Sequence, residues 1–165
     1  DMNFLELTRK RCSIRSYIDR KVEPEKIRYI LEAGRMAPSA VNKQPWHVLL
    51  IESEAERQQL QSCYNREWFK SAPLYLIVCG DHAESWKRAD GKDHLDIDVA
   101  ILTEHLCLAA ADTGLGSCWV FNFDAPRVTE LFGLAESVEP VVLLPLGYPA
   151  EGAWSEKKRK ESILF

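Results

Sequence analysis

Apolar positions along the chain form two kinds of pattern, continuous runs and helix-spaced stripes. Trp46–Ile51 and Pro73–Cys79 are almost wholly apolar, which is typical of strands buried in a sheet. Residues 138–146 have the same character, and residues 117–123 are predicted as a further strand. The segment from Cys12 to Tyr17 is expected to be extended. The chain therefore supplies the strands of one central sheet.

The helix-spaced segments begin and end at residues suited to helix termini. Asn3 can cap a short first helix. Pro24 is placed to open a second helix, which Pro38 ends. A polar helix is predicted over residues 54–63, and a short one begins at Pro126. These helices alternate with the strands and predict one domain over the whole chain, a three-layer α/β or α+β fold with a mixed sheet.

A longer helix spans roughly His94 to Thr113 and stops at Gly114. Its apolar side chains cover most of its circumference, so most of that circumference must be buried. They include Leu95, Ile97, Ile101, Leu102, Leu106, Leu108, Ala109 and Ala111. Two interpretations stay open: the helix packs on its own sheet and on a partner subunit, or it is the central helix of a monomeric core.

Composition excludes several classes of protein. The 165 residues carry a formal net charge of −4, which argues against general affinity for nucleic acid. No apolar run reaches the roughly 18 residues of a membrane-spanning helix, and the first residues lack the order of a secretion signal. The five cysteines are scattered, as expected of reduced, buried thiols in a cytoplasmic protein.

Several familiar catalytic motifs are missing from the sequence. No Gly-x-Gly-x-x-Gly follows a strand, and neither a Walker A loop nor a Gly-x-Ser-x-Gly elbow occurs. His94, Asp96 and Asp98 could suggest a metal site, but alternating polar residues at a helix start are more typical of a solvated or capping turn. We predict no metal centre.

Basic residues cluster near both ends of the chain, at 9–11 with Arg15 and at 157–160. In an acidic protein the two clusters could converge on a phosphate dianion, which arginine grips bidentately, and Ser13 could add a hydroxyl donor. The alternative for each cluster is an ordinary solvated surface.

The segment Ala37–Trp46 joins a helix to a strand between two prolines. Its small side chains would let the backbone approach a flat ring, and the amides of Asn42 and Gln44 could match donors and acceptors on the rim of a heteroaromatic ring such as a flavin. An ordinary structural turn is the alternative.

Four motifs together resemble the FMN-dependent nitroreductase family over essentially the whole chain. The most specific is Pro-Ser-x-x-Asn-x-Gln-Pro-Trp at residues 38–46. Residues 11–17 (Arg-Cys-Ser-Ile-Arg-Ser-Tyr), residues 114–119 (Gly-Leu-Gly-Ser-Cys-Trp) and the basic stretch 157–160 occur in the family's order. The resemblance implies a nitroreductase-like α+β fold, a three-layer α/β/α sandwich whose mixed, mostly antiparallel sheet is completed by a dimer partner.

The resemblance also implies a homodimer with FMN at the subunit interface. Arg11, Ser13 and Arg15 would contact the phosphate, ribityl chain or pyrimidine edge of FMN. Lys157 and Arg159 would complete the set of residues that bind the phosphate. The partner subunit's turn would line the ring, and the stretch from Trp119 to Asn122 would lie over it. The residues assigned to cofactor binding on this basis are Arg11, Cys12, Ser13, Arg15, Pro38, Ser39, Ala40, Asn42, Gln44, Asn65, Trp119, Phe121, Asn122, Lys157 and Arg159.

The implied activity is reduction of nitroaromatic, quinone or similar electron-poor acceptors by NADH or NADPH, with ping-pong kinetics and no catalytic side chain. Flavin fragmentation, reductive dehalogenation, a non-catalytic flavin-binding protein and a plain dimeric interaction module are alternatives. Two departures from the family pattern bear on the choice. Only a short polar stretch follows Cys79 where larger members carry a lid, and Phe121-Asn122 stands where many have Glu-Gly or Gly-Gly.

Overall fold

A four-stranded antiparallel sheet forms the centre of the protein in the computed structural model, which describes residues 2–164. The strands lie in the order β1-β2-β4-β3. Ser13 also makes an isolated parallel bridge to Ser117, so the sheet is mixed but mostly antiparallel. The strand bounds are β1 Trp46–Ile51, β2 Leu74–Asp81, β3 Gly116–Ser117 and β4 Val138–Gly147.

Within residues 2–164, six α-helices cover the two faces of the sheet. They are α1 Phe4–Lys10, α2 Pro24–Arg35, α3 Glu54–Gln61, α4 Glu67–Lys70, α5 Leu95–Asp112 and α6 Ala125–Leu131, with a single 3-10 turn at Ala40–Asn42. None of these helices, within residues 2–164, is long and apolar enough to cross a membrane.

Strand β2 faces a core on each side, as its unbroken apolar sequence predicted. Leu76 and Val78 pack with α2 and α5, whereas Tyr75 and Ile77 pack with Phe69 of α4 and with α3 and α6. Side chains of a strand alternate between faces, so the continuous run serves both layers. The predicted three-layer α/β/α sandwich is confirmed.

The helix starts follow the local signals in the sequence. Asn3 and Glu6 form a capping box, since each side chain accepts the other's backbone N–H at 3.0 and 2.9 Å. Pro24 stands in the first turn of α2, and Ser53 caps α3 by accepting the N–H of Glu56.

Helix α5 packs most of its apolar surface inside its own chain. Leu102 and Leu106 lie against α2, where Gly34 allows close approach because a Cβ there would lie 2.6 Å from Leu106 Cδ2. One stripe stays outward: Ile97 is 41% exposed, and Ile101 is half-buried. The helix is thus buried on its sheet side and keeps an apolar outer edge.

The predicted strand over residues 117–123 is wrong in extent. The ladder ends at Ser117, and the chain then leaves the sheet and returns to backbone pairing with β4 at an isolated bridge between Val120 and Leu143. Cys118 and Val120 are buried, but Phe121 is 60% exposed and Asn122 is exposed, so burial does not continue through the second half of the predicted strand. Helix α4 was not predicted, since its four residues are too few for a helical pattern.

The five cysteines are free and buried, as predicted. Burial raises the pKa of the Cys79 and Cys107 thiols to about 12. These thiols act as small apolar groups of the core.

Candidate functional site

Residues from both ends of the chain line one cleft of about 690 Å³ beside α1 and α5. The C-terminal segment is held against α1, because the indole N–H of Trp154 donates to the carbonyl of Lys10 at 2.9 Å and Lys157 Nζ donates to the carbonyl of Thr8. The lining residues are Thr8, Arg9, Arg11, Glu104, Trp154, Glu156, Lys157 and Arg159. The two basic clusters therefore converge, as the sequence suggested.

The cations in this cleft outnumber the anions that face them. Arg11 Nε lies 3.0 Å from Glu104 Oε1, with the two side chains 16% and 42% exposed. Partial burial lowers the pKa of Lys157, and the positive charges of Arg11 and Arg159 lower it further. An anion bound among these groups would relieve their mutual repulsion. The donor set matches a phosphate, which is bound best by arginine forks and a lysine point charge.

Cys12, Ser13 and Arg15 lie on the extended segment between α1 and α2. The side chain of Cys12 is buried in the core, so only its backbone is available to a cofactor. Ser13 is half-buried and pairs with Ser117. Arg15 is exposed and lies near Cys118, where its charge opposes the rise that burial causes in that thiol's pKa. This segment therefore connects the cationic cleft with the start of residues 119–122.

A second cleft, of about 340 Å³, lies further along the same side of α5. It is mostly aromatic and aliphatic, with Asp96 and Glu139 as its acidic groups. Its lining residues are Asp96, Ala100, Trp119, Phe121, Phe123, Ala125, Glu139, Pro140, Val141 and Val142. Wide apolar clefts with few polar groups are typical sites for flat organic ligands.

Helix α5 links the two clefts. Asp96, Ala100 and Glu104 recur every four residues and so share one face, with the first two in the aromatic cleft and the third in the cationic cleft. At a rise of 1.5 Å per residue, the ends of this stripe are about 12 Å apart. A ligand with a phosphate at one end and a ring at the other could lie along it.

The segment Trp119–Asn122 crosses the rim of the aromatic cleft. Val120 is fixed by two hydrogen bonds of 3.0 Å with Leu143. The rings of Trp119 and Phe121 lie 5.6 Å apart between centroids at 49°. Phe121 and Asn122 are exposed. A large aromatic side chain thus stands at a position where, by the family resemblance, many members have glutamate or glycine.

The turn at residues 38–44 projects outward. Val41 is 72% exposed, and Pro38, Asn42 and Gln44 are also exposed. Hydrogen bonds from Gln44 N–H to Ser39 Oγ, at 2.9 Å, and from Gln44 Nε2 to Asn42 Oδ1, at 3.1 Å, give the turn its shape. Within residues 2–164 it lines neither of the two clefts, so one chain does not bring Pro38, Ser39, Ala40, Asn42 and Gln44 together with the cationic cleft.

Asn65 lies apart from the other predicted residues. It lines a polar cleft of about 480 Å³ in the α3–α4 region with Gln58, Gln61, Ser62 and Lys70. None of the other sequence-predicted site residues is in that set. The structure does not bring Asn65 to either cleft along α5.

Sequence reasoning missed Glu104, Trp154 and Phe123. Glu104 carried a usable signal, since it is an acidic residue on a mostly apolar helix, on the same face as Asp96 and Ala100. Trp154 and Phe123 had none, because only the long-range packing of the chain brings them to the clefts.

The His94, Asp96 and Asp98 combination is not a ligand cluster. Asp98 accepts a backbone N–H and Asp96 is exposed. The one group of three possible ligand side chains in the part of the chain described here is His47, Asp81 and Glu84, outside both clefts, with ligand atoms within 4.8 Å of one another.

Comparison with known proteins gives a consistent result. The nitroreductase family model matches residues 8–63 and 58–148. A proposed NADH dehydrogenase/NAD(P)H nitroreductase of Methanothermobacter thermautotrophicus is 35% identical over 155 residues, covering 91% of this chain and 79% of that protein.

Solved structures show the same likeness. A nitroreductase family protein of Clostridium difficile is 40% identical with a TM-score of 0.89, covering 93% of this chain and 88% of that one. An FMN-dependent nitroreductase of the same species is 26% identical with a TM-score of 0.75, covering 96% and 92%. With its family match, relatives and fold in agreement, the chain belongs to the nitroreductase family.

Proposed function

We propose that the protein is an FMN-dependent oxidoreductase that uses NADH or NADPH to reduce nitroaromatic, quinone or similar electron-poor acceptors. The whole chain, residues 1–165, would act as one flavin-binding domain. The observation that carries the proposal is the pair of clefts along α5, one lined by cations from both chain ends and the other by aromatic side chains. The relatives named for FMN and NAD(P)H support the same cofactors.

The cationic cleft would hold the FMN phosphate. Arg11 and Arg159 would grip its oxygens and Lys157 would add a point charge. Ser13 and Arg15, on the segment that connects the clefts, would face the ribityl chain and the pyrimidine edge. The excess of cations over carboxylates among the residues that line the cleft supports a dianion at this position.

The aromatic cleft would hold the flavin ring and, above it, nicotinamide or acceptor. Bound flavin supplies two-electron, hydride-type chemistry. The chain's own residues position the ring: Val120 is fixed to β4, so the backbone of residues 119–122 can present an N–H to the ring edge. Arg15 would stabilise negative charge that develops on the reduced ring. No side chain need act as acid or base.

A homodimer would complete the site. Ile97 on the outward stripe of α5, at 41% exposure, and Val41 in the turn, at 72%, are large apolar side chains exposed to solvent in the described residues 2–164. A second copy that covers them would bring its own turn over the flavin ring, and Pro38, Ser39, Ala40 and Asn42 would line that ring across the interface.

NAD(P)H and the acceptor would use the same place in turn, which predicts ping-pong kinetics. The acidic groups at the rim, Asp96 and Glu139, would favour neutral or cationic acceptors over anionic ones of the same ring system. We also propose a cytoplasmic location, because five free buried thiols suit a reducing compartment.

The test is purification followed by steady-state kinetics. We expect a yellow protein whose extracted flavin is FMN, and parallel lines in double-reciprocal plots of NAD(P)H oxidation against nitroaromatic or quinone acceptors. Colourless protein that gains no flavin on reconstitution would contradict the cofactor assignment. Bound FMN without turnover would identify a flavin-binding protein, and turnover confined to halogenated or flavin substrates would identify a different reaction.

A further inference from the structure

Three residues of the outward turn hold a backbone conformation that L-residues rarely adopt. Val41, Asn42 and Gln44 have φ values of 54°, 55° and 51°. Such conformations persist only where neighbouring groups impose them. Val41 is 72% exposed, so core packing around its side chain does not supply that constraint.

Hydrogen bonds fix the turn instead, and only one of them reaches a distant part of the chain. Among residues 2–164, the bonds made by 38–44 are internal or local apart from that of Ala40, whose N–H donates to Asp98 Oδ1 at 2.9 Å. Asp98 belongs to α5 and lies 58 residues away in sequence. The turn is thus tied to the helix that carries both clefts.

Asp98 is an unusual residue at this place. Its side chain is 1% exposed, and its second oxygen, Oδ2, is buried without a hydrogen-bond partner in the described structure. A buried carboxylate with an unpaired oxygen is unfavourable for folding. Asparagine would accept the same N–H without the buried charge, but a charged acceptor holds a backbone N–H more strongly than a neutral one.

We propose that Asp98 is a positioning residue of the cofactor site: it holds the strained 38–44 turn in the shape that lines the flavin ring, through the N–H of Ala40. Asp98 lines neither cleft, so it acts only through the turn. This inference rests on the proposed function for its cofactor, whereas the anchoring itself does not need a flavin.

The experiment compares Asp98→Ala with Asp98→Asn, which keeps an acceptor, and with Thr103→Ala. Thr103 is the matched control, because it is also buried on α5 and its hydroxyl donates to Val99 O of the same helix, at 2.7 Å. Amide hydrogen exchange is measured in flavin-free protein, where it reports local opening, and FMN affinity and Tm are measured in parallel.

We expect Asp98→Ala to raise exchange at Ala40 and through residue 44 by about tenfold or more, the effect of one lost charge-assisted hydrogen bond, with a similar rise in the Kd for FMN. Asp98→Asn should recover only part of both effects, because a neutral acceptor holds the N–H less strongly than a charged one. Thr103→Ala should lower Tm without selective exchange in the turn.

Two outcomes would overturn the proposal in different ways. If Asp98→Ala speeds exchange equally in the turn and in β2, and the increase is accounted for by the loss of Tm, the role of Asp98 is merely structural. If the turn opens selectively but FMN affinity is unchanged, Asp98 anchors the turn without positioning the cofactor. Wild-type protein that binds no FMN would instead refute the proposed function, while the exchange data would still decide the anchoring.

Discussion

The contact between Arg11 and Glu104 gives a prediction with opposite signs for its two members. Arg11 Nε lies 3.0 Å from Glu104 Oε1, so the carboxylate occupies part of the guanidinium that a phosphate would need. Arg11→Ala removes a phosphate ligand, and we expect weaker FMN binding. Glu104→Gln releases Arg11 and removes a negative charge from the cleft, and we expect tighter binding.

The sizes follow from the kind of interaction and its exposure. A hydrogen bond to a charged group contributes about 1.5–3 kcal/mol. The ion pair of Arg11 with Glu104, whose side chain is 42% exposed, contributes roughly 0.2–1 kcal/mol. Because this pair competes with the phosphate for Arg11, it reduces the contribution of Arg11 to FMN binding by that amount. Arg11→Ala should therefore cost about 0.5–2.8 kcal/mol, a rise of roughly 2- to 120-fold in Kd. Glu104→Gln should lower Kd by roughly 1.5- to 5-fold.

The assay is fluorescence titration of flavin-free protein with FMN and, separately, with riboflavin, which has the same ring but no phosphate. Neither substitution should change riboflavin affinity appreciably, and Arg20→Ala, which alters an ion pair with Glu23 outside the cleft, should change neither ligand. The reasoning is refuted if Arg11→Ala weakens both flavins equally, or if Glu104→Gln weakens FMN.

Further predictions concern the aromatic cleft, a surface ion pair and the thiols. Phe121→Gly should change the KM for a flat aromatic acceptor several-fold, because its ring lines the aromatic cleft in which flavin and acceptor would stack; steady-state kinetics with an unaltered KM would count against this. The hydrogen bond to Asp93 raises the pKa of His82 in the folded protein. The pair therefore stabilises the fold fully below the pKa of unfolded histidine, about 6.5, and this stabilisation is lost as pH rises through the raised pKa of the folded state. His82→Gln should therefore lower Tm more near pH 6 than near pH 9, and equal losses would show that the pair does not contribute. Because burial raises the pKa of Cys79 and Cys107 to about 12 and all five thiols are buried, a disulfide reagent should titrate none in native protein and five after unfolding; rapid native reaction would contradict this.

Local signals in the sequence were sufficient for most of the fold. The apolar runs predicted β1 and β2 almost to the residue, and Asn3 and Pro24 marked the starts of α1 and α2 correctly. These signals work because caps and two-sided burial depend on residues close in sequence. The predicted strand at residues 117–123 was wrong because its end depends on where the chain leaves the sheet.

Long-range contacts limited the prediction of the site. The meeting of Arg11 with Lys157 and Arg159 was suggested by charge, and the structure brings these residues to one cleft. The pairing of Arg11 with Glu104 and the bond from Ala40 to Asp98 join residues far apart in sequence, so no local pattern indicates them. The roles of the predicted cofactor residues, and that of Asn65 above all, stay predictions.

Mixed dimers test the central claim most directly. One subunit carries Arg11→Ala with Arg159→Ala, and the other carries Asn42→Ala with Gln44→Ala, with separate affinity tags for isolation of the mixed species. If the cationic cleft of one subunit and the turn of the other form one FMN site, one of the two sites in the mixed dimer contains no substitution. We predict one FMN per mixed dimer bound with wild-type affinity, although both parent homodimers bind weakly. A mixed dimer in which every site is weak would contradict a site shared between subunits.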